Sequence, residues 1–152
     1  MENSLSYIKN LNISELIDII SNVWGFEETS EALLQLEKKD PQKALELGIE
    51  ILECDKGDDY LQASVWNIIF SLYPEKVLNS LEKRNKTLGK VLLYDILKEL
   101  NSKFYIKDVK TLSQKIISKV FEDYNTLPQN VNDEIHREFI EFTKNLRNNS
   151  VI

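Results

Sequence analysis

Apolar residues recur every three or four positions along nearly the whole chain, the spacing that places them on one face of an α-helix. The pattern is clearest in residues 16–24, 44–52, 61–72 and 88–100. Alternation with a period of two, which would indicate β-strands, is nearly absent. The sequence therefore predicts an all-α protein of about eight helices, arranged as antiparallel helix hairpins in a short solenoid or as an irregular bundle.

Two segments begin with a proline and share the pattern Pro-x-Lys-apolar-Leu at an offset of 33 residues. Pro41 and Pro74 open them, and proline suits the first position of a helix because its missing N–H is not needed there. A repeat of this length is typical of stacked helix hairpins. Ala44 and Gly48 lie one turn apart in the first copy, so we expect a neighbouring helix to approach closely at this face.

The length and composition are those of a single globular domain, residues 1–152. Hydrophobic residues make up 42% and charged residues 29% of the chain, a balance that does not fit a disordered protein. Cys54 is the single cysteine, and no stretch is apolar for long enough to be a signal peptide or to cross a bilayer. We therefore expect a cytoplasmic protein without disulfides or cofactors, a monomer or weak oligomer that does not bind membranes.

Acidic residues are concentrated in residues 27–59, which hold eleven Asp and Glu against four Lys, whereas the rest of the chain is nearly balanced. Because this segment covers neighbouring helical turns, its charge should gather on one surface. An acidic field of this kind favours association with a basic protein. The net charge of −6 disfavours binding to nucleic acid.

We predict that the residues that bind this partner lie in the second half of the acidic segment and on the helix that follows. Glu50 and Glu53 sit near the C-terminus of a helix, where negative charge opposes the helix dipole, so folding gives no reason for them. Trp66 falls on the flank of the next helix, mostly in the core with one edge available to a partner, and Trp24 is a weaker candidate for the same role. The predicted partner-binding residues are Glu46, Glu50, Glu53, Asp55, Asp58, Asp59, Tyr60, Gln62 and Trp66.

Motifs that carry catalysis are missing from the sequence, including a Gly-rich phosphate loop, paired metal ligands and a nucleophile elbow. His136 is the only histidine, and we interpret it as a solvated surface residue rather than a general base. Residues 83–119 hold ten Lys and Arg against three acidic residues, and we interpret them as a solvated surface rather than a nucleic-acid groove. The sequence therefore predicts no catalytic residue, no metal site and no enzyme activity.

Two segments, KALELGIEIL at residues 43–52 and GDDYLQASVWN at residues 57–67, resemble a known group of proteins. These are the small HEAT-like helical-repeat proteins that act as immunity proteins in bacterial polymorphic toxin and contact-dependent growth inhibition systems. The resemblance covers roughly residues 28–84 and implies HEAT-like helix hairpins. It also implies a protein that is not an enzyme and that neutralises a cognate toxin in the cytoplasm. Many such toxins are basic nucleases, which suit an acidic partner.

Two other functions remain open from the sequence. One is a HEAT-like adaptor for another cellular protein, and a toxin gene immediately upstream would argue against it. The other is a nucleic-acid-binding protein or enzyme similar to the HEAT-type alkylpurine DNA glycosylases, acting through residues 83–119. Binding to DNA at moderate salt would support that alternative.

Overall fold

The computed structural model of the protein describes residues 5–104, 112–130 and 132–149. Within these ranges the chain forms eight α-helices and one short 3-10 helix without any strand, which confirms the all-α prediction. None of these helices is long and apolar enough to cross a membrane. The 3-10 helix spans Ser6–Asn10, and the α-helices are α1 (Ile13–Asn22), α2 (Phe26–Lys39), α3 (Pro41–Glu53), α4 (Asp59–Ile69), α5 (Pro74–Lys83), α6 (Lys90–Phe104), α7 (Gln114–Asn125) and α8 (Glu134–Asn148).

The chain divides into two compact units, Met1–Lys86 and Thr87–Ile152. The first unit holds the 3-10 helix and α1 to α5, and the second holds α6 to α8. The single domain that the sequence predicts over residues 1–152 stays a prediction.

Helices of the first unit stack alternately, with α2 against α4 and α3 against α5. The adjacent pairs α2 with α3 and α4 with α5 also pack against each other, as two successive hairpins do. Ser30 and Ser64 share a hydrogen bond of 2.9 Å between α2 and α4, and a Cβ on Gly57 would lie 3.2 Å from Cγ1 of Val23. Each of these pairs is separated by 34 residues, so α2 and α4 run in the same direction and in register.

The sequence signals of the repeat mark real features of this unit. α3 and α5 begin at Pro41 and Pro74, as predicted. A Cβ on Gly48 would lie only 2.9 Å from Cδ1 of Ile69 on α4, which confirms the expected close approach of a neighbouring helix. Glycine at this position therefore sets the distance between α3 and α4.

Trp66 lies in the core of the first unit, contrary to the prediction that one edge of its ring faces a partner. Its side chain is fully buried and stacks on Phe70, with ring centroids 4.3 Å apart. The prediction was wrong because α4 is covered by α2, α3 and α5. A flank position on the helical wheel is therefore an interior position in the folded unit.

In the second unit α6 packs against α8 and α7. A buried polar contact joins two of these helices, since Asn145 Nδ2 donates to Asn101 Oδ1 at 3.1 Å. Asn101 in turn donates to Oε2 of Glu138 at 2.7 Å. The carboxylate of Asp123 is buried as well, and its Oδ2 accepts from the backbone N–H of Leu88 at 2.9 Å. Among the described residues the apolar interior is formed mainly by Leu92, Leu93, Ile96, Leu97, Leu100, Ile117, Val120, Phe142 and Leu146.

Candidate protein-binding surface

The predicted acidic strip on α3 is largely neutralised by neighbouring lysines. Glu46 pairs with Lys43 at 3.3 Å, and Glu50 pairs with Lys56 at 3.0 Å. Glu53 is half-buried and lines a shallow groove whose other wall, on α5, carries two lysines, Lys76 and Lys83. Exposed pairs of this kind contribute little to stability, but they lower the net charge that α3 presents to a partner.

Asp55 and Gln62 belong to a buried network around Arg84. The Arg84 guanidinium donates to the carbonyl of Leu52 at 2.6 Å, to Oε1 of Gln62 at 2.8 Å and to Oδ1 of Asp55 at 2.9 Å. Because Leu52 lies in the last turn of α3, Arg84 satisfies a carbonyl that has no partner within the helix. The network ties the α3–α4 loop to the end of α5.

This network corrects two interpretations drawn from the sequence. Gln62 was predicted to contact a partner, but it is buried because the α3–α4 loop and Arg84 cover it. Arg84 was assigned to a solvated basic surface, and it is buried as well. The sequence did contain a sign that Arg84 is buried, because it is the only arginine among the ten basic residues of segment 83–119. Arginine suits a buried site with several acceptors better than lysine does.

Aromatic side chains at the start of the first unit are unusually exposed. The exposed fraction is 57% for Trp24, 46% for Phe26 and 46% for Tyr7. Val23, which ends α1, has φ 48°, a left-handed conformation that is strained for a β-branched residue. The chain thus adopts an unfavourable backbone conformation immediately before two aromatic residues that it leaves in solvent.

The register between α2 and α4 extends this aromatic surface to Tyr60. The Val23–Gly57 and Ser30–Ser64 contacts share an offset of 34 residues, so the start of α4 lies beside the start of α2. By that offset Tyr60, which is 64% exposed, occupies the position on α4 that Phe26 occupies on α2. We call the resulting patch the aromatic–acidic surface; its members are Tyr7, Trp24, Phe26 and Tyr60 with the adjacent acidic residues Glu15, Asp18, Glu27, Asp58 and Asp59.

Carboxylates of this surface differ from those of α3 in their partners. Among the residues that the structure describes, no ion pair involves Glu15, Asp18, Glu27 or Asp58. Asp58 also has a local role, because its Oδ1 accepts from the backbone N–H of Leu61 at 2.8 Å and caps α4. Of the predicted partner-binding residues, the structure brings Asp58, Asp59 and Tyr60 to this surface; the rest lie elsewhere.

Two lysines of the basic segment 83–119 that lie in the second unit pair with acidic side chains. Lys90 pairs with Asp133, and this hydrogen bond lowers the pKa of the Asp133 carboxyl. Lys119 pairs with Asp123 at 3.1 Å. Residues 105–111 of the segment lie outside the described residues.

His136 is not the solvated surface residue that the sequence predicted. It is half-buried, and its Nδ1 lies 2.6 Å from the hydroxyl of Tyr124. Burial raises the pKa of Tyr124, and the carboxylate of Asp133 raises it further. Tyr124 stacks on Phe139 with centroids 3.8 Å apart, so the histidine takes part in packing α7 against α8.

The described residues contain no group of three or more His, Cys, Asp or Glu side chains placed to hold a metal ion. The chain matches no protein-family model, and no curated protein or solved structure is detectably similar to it. The aromatic–acidic surface is therefore the feature from which a function can be argued.

Proposed function

We propose that this protein is an immunity protein that binds a basic bacterial toxin domain in the cytoplasm and neutralises it without catalysing a reaction. The observation that carries the proposal is the aromatic–acidic surface, whose four aromatic side chains are exposed. Tyr7 and Trp24 line one groove together with Glu15 and Asp18, and Phe26 and Tyr60 stand at the starts of α2 and α4. The proposal also draws on the resemblance of residues 28–84 to HEAT-like immunity proteins.

The composition of this surface is that of a protein-binding site. Tryptophan and tyrosine are enriched among the few residues that supply most of the binding energy in interfaces, and they bury a large area with few rotatable bonds. Carboxylates at the rim add attraction to a basic partner and speed the encounter. A chain that needed only to fold would gain by burying Trp24 and Phe26 instead.

Binding at this surface would neutralise a toxin by occupancy and by charge. A nuclease holds its anionic substrate with lysine and arginine side chains. Carboxylates placed against those side chains would occupy the same cations and exclude the substrate. The aromatic side chains would slow dissociation, which is where most differences in affinity between related complexes arise.

The other functions open from the sequence gain less support. A DNA-binding role would use residues 83–119, yet Arg84 is buried and Lys90 and Lys119 are paired with acidic residues. An adaptor for another cellular protein could use the same aromatic–acidic surface. The identity of the partner therefore distinguishes an adaptor from an immunity protein.

The test is to co-express the chain with the products of the neighbouring genes and to look for a complex that abolishes the toxicity of one of them. Trp24→Ala combined with Tyr60→Ala should weaken that complex by about 2 kcal/mol or more, roughly 30-fold in Kd. Leu72→Ala is the matched control, because Leu72 is also an exposed apolar residue (45%) but follows the far end of α4. Equal losses in the two variants, or no toxic neighbour that the chain neutralises, would contradict the proposal.

A further inference from the structure

An open groove of about 470 Å³ lies at one end of the aromatic–acidic surface. Tyr7 and Trp24 contribute exposed rings to its lining, and the buried side chain of Ile19 contributes apolar surface. Glu15 and Asp18, three positions apart on α1, add two carboxylates on the same face of the helix. Aromatic surface and negative charge thus meet in one concave site.

Each of the two carboxylates uses one oxygen within α1. Oε1 of Glu15 accepts from the backbone N–H of Asn12 at 3.1 Å and completes a capping box. Oδ1 of Asp18 accepts from Nδ2 of Asn22 at 3.0 Å. In the part of the chain that the structure describes, no cation pairs with either group. The nearby Lys39 donates to the carbonyl of Leu11 at 2.7 Å rather than to a carboxylate.

We propose that this groove receives an arginine side chain from a basic segment of the protein partner. A guanidinium group can stack on aromatic rings while its N–H groups reach carboxylate oxygens in its own plane. A purely apolar segment would cover the carboxylates of Glu15 and Asp18 without pairing them, which is costly. Acidic segments would be repelled. The inference rests on the proposed function and names the chemistry of the partner at that surface.

The double variant Glu15→Gln with Asp18→Asn tests the electrostatic half of the inference. Glutamine and asparagine keep the acceptor oxygens for Asn12 and Asn22, so α1 should fold as before. The matched control is Glu46→Gln with Glu50→Gln, which removes the same charge from the exposed face of α3. Circular dichroism checks that both variants are folded before their affinities are compared.

The probe is an acetylated and amidated hexaarginine peptide, followed by isothermal titration calorimetry and by acrylamide quenching of tryptophan fluorescence at low salt. Because Trp66 is fully buried, protection from acrylamide reports on Trp24. We expect hexaarginine to protect Trp24, and hexalysine to bind more weakly. The α1 double variant should lose about tenfold in affinity, and the α3 control less than about twofold. Trp24→Leu should also lose about tenfold, without touching the capping box.

Equal losses in the two double variants would show that only net charge matters and would overturn the inference. So would unchanged affinity in the α1 variant, or concentration-dependent dimerisation that itself protects Trp24, since a second copy would then occupy the groove. The proposed function fails separately. If a neighbouring toxin is neutralised equally well by wild type and by the α1 variant, the inference is wrong and the function stands. If no neighbouring gene product binds but hexaarginine behaves as expected, the proposed function is wrong and the inference about the groove stands.

Discussion

Arg84 offers the sharpest test of how the first unit is held together. Replacing it by methionine keeps most of the volume of the side chain but removes every N–H donor. The carbonyl of Leu52 and Oε1 of Gln62 then lose the Arg84 donors in a buried position. Asp55 loses an ion pair at the same time, but 41% of its side chain is exposed, so water can solvate the carboxylate.

The expected loss of stability follows from the groups that Arg84 contacts. A buried acceptor left without its donor costs about 1 to 3 kcal/mol, and two are created here. The half-exposed ion pair adds no more than about 1 kcal/mol. We therefore expect Arg84→Met to lower the free energy of unfolding of the first unit by about 3 to 5 kcal/mol, most of it from the two buried acceptors. Asp55→Asn keeps an acceptor for Arg84 and should cost less than about 1 kcal/mol.

Urea unfolding followed by tryptophan fluorescence measures this loss selectively. Trp24 and Trp66 are the only tryptophans of the chain, and both lie in the first unit. For an m value of about 1.5 kcal/mol/M, the midpoint should fall by roughly 2 to 3 M in Arg84→Met. A loss below about 1 kcal/mol, or an equal loss in Asp55→Asn, would refute the argument that the guanidinium satisfies the end of α3.

Three further predictions concern packing and titration. Gly48→Ala should destabilise the first unit by about 1 to 3 kcal/mol despite the better helix propensity of alanine, because the new methyl would lie 2.9 Å from Cδ1 and 3.1 Å from Cγ2 of Ile69, and rotation of the terminal methyl relieves only the first contact. A gain in stability on urea unfolding would contradict this prediction. Trp66→Ala should lower the free energy of unfolding by about 3 to 5 kcal/mol. The affinity for the partner, measured well below the melting transition, should stay unchanged, and a loss of affinity in the folded variant would show that Trp66 contacts the partner. Burial raises the pKa of Tyr124, so the neutral hydroxyl contributes fully to the stability of the second unit below pH about 10, the unfolded pKa of tyrosine, and this contribution is lost as the pH rises through the folded pKa. Absorbance of phenolate in wild type and Tyr124→Phe checks this order, and a Tyr124 that ionises at or below pH 10 would contradict it.

Features that depend on local sequence could be predicted well. Helix periodicity and the prolines that open α3 and α5 both act within a few neighbouring residues of the chain. Gly48 also signalled its role, because a glycine inside an apolar helix face lowers helix stability and is favoured there only where a neighbouring helix comes close.

Burial on α4 could not be predicted from one helical wheel. The wheel gives α4 a single buried stripe, whereas three helices and a loop cover it. Trp66 and Gln62 are interior residues for this reason, and Gln62 contacts Arg84, which is 22 residues away along the sequence. No local sequence pattern predicts a contact between residues so far apart in the chain.

The candidate surface was predicted in part. Asp58, Asp59 and Tyr60 were identified because acidic and aromatic residues lie together in the sequence. Trp24 was treated as a weaker candidate than Trp66, and their exposures prove to be the reverse, 57% against 0%. The part that Trp24 and Phe26 play depends on the register between α2 and α4, which only the packing of the two helices fixes.

The central claim is that the aromatic–acidic surface neutralises a basic toxin domain. The most direct measurement is the toxic activity of the neighbouring gene product, titrated with wild-type protein and with the Trp24→Ala, Tyr60→Ala double variant in parallel. We predict that wild type abolishes the activity at one equivalent, and that the variant needs a concentration higher by about 30-fold or more while its urea unfolding is unchanged. Full neutralisation by the folded variant at one equivalent would contradict the account.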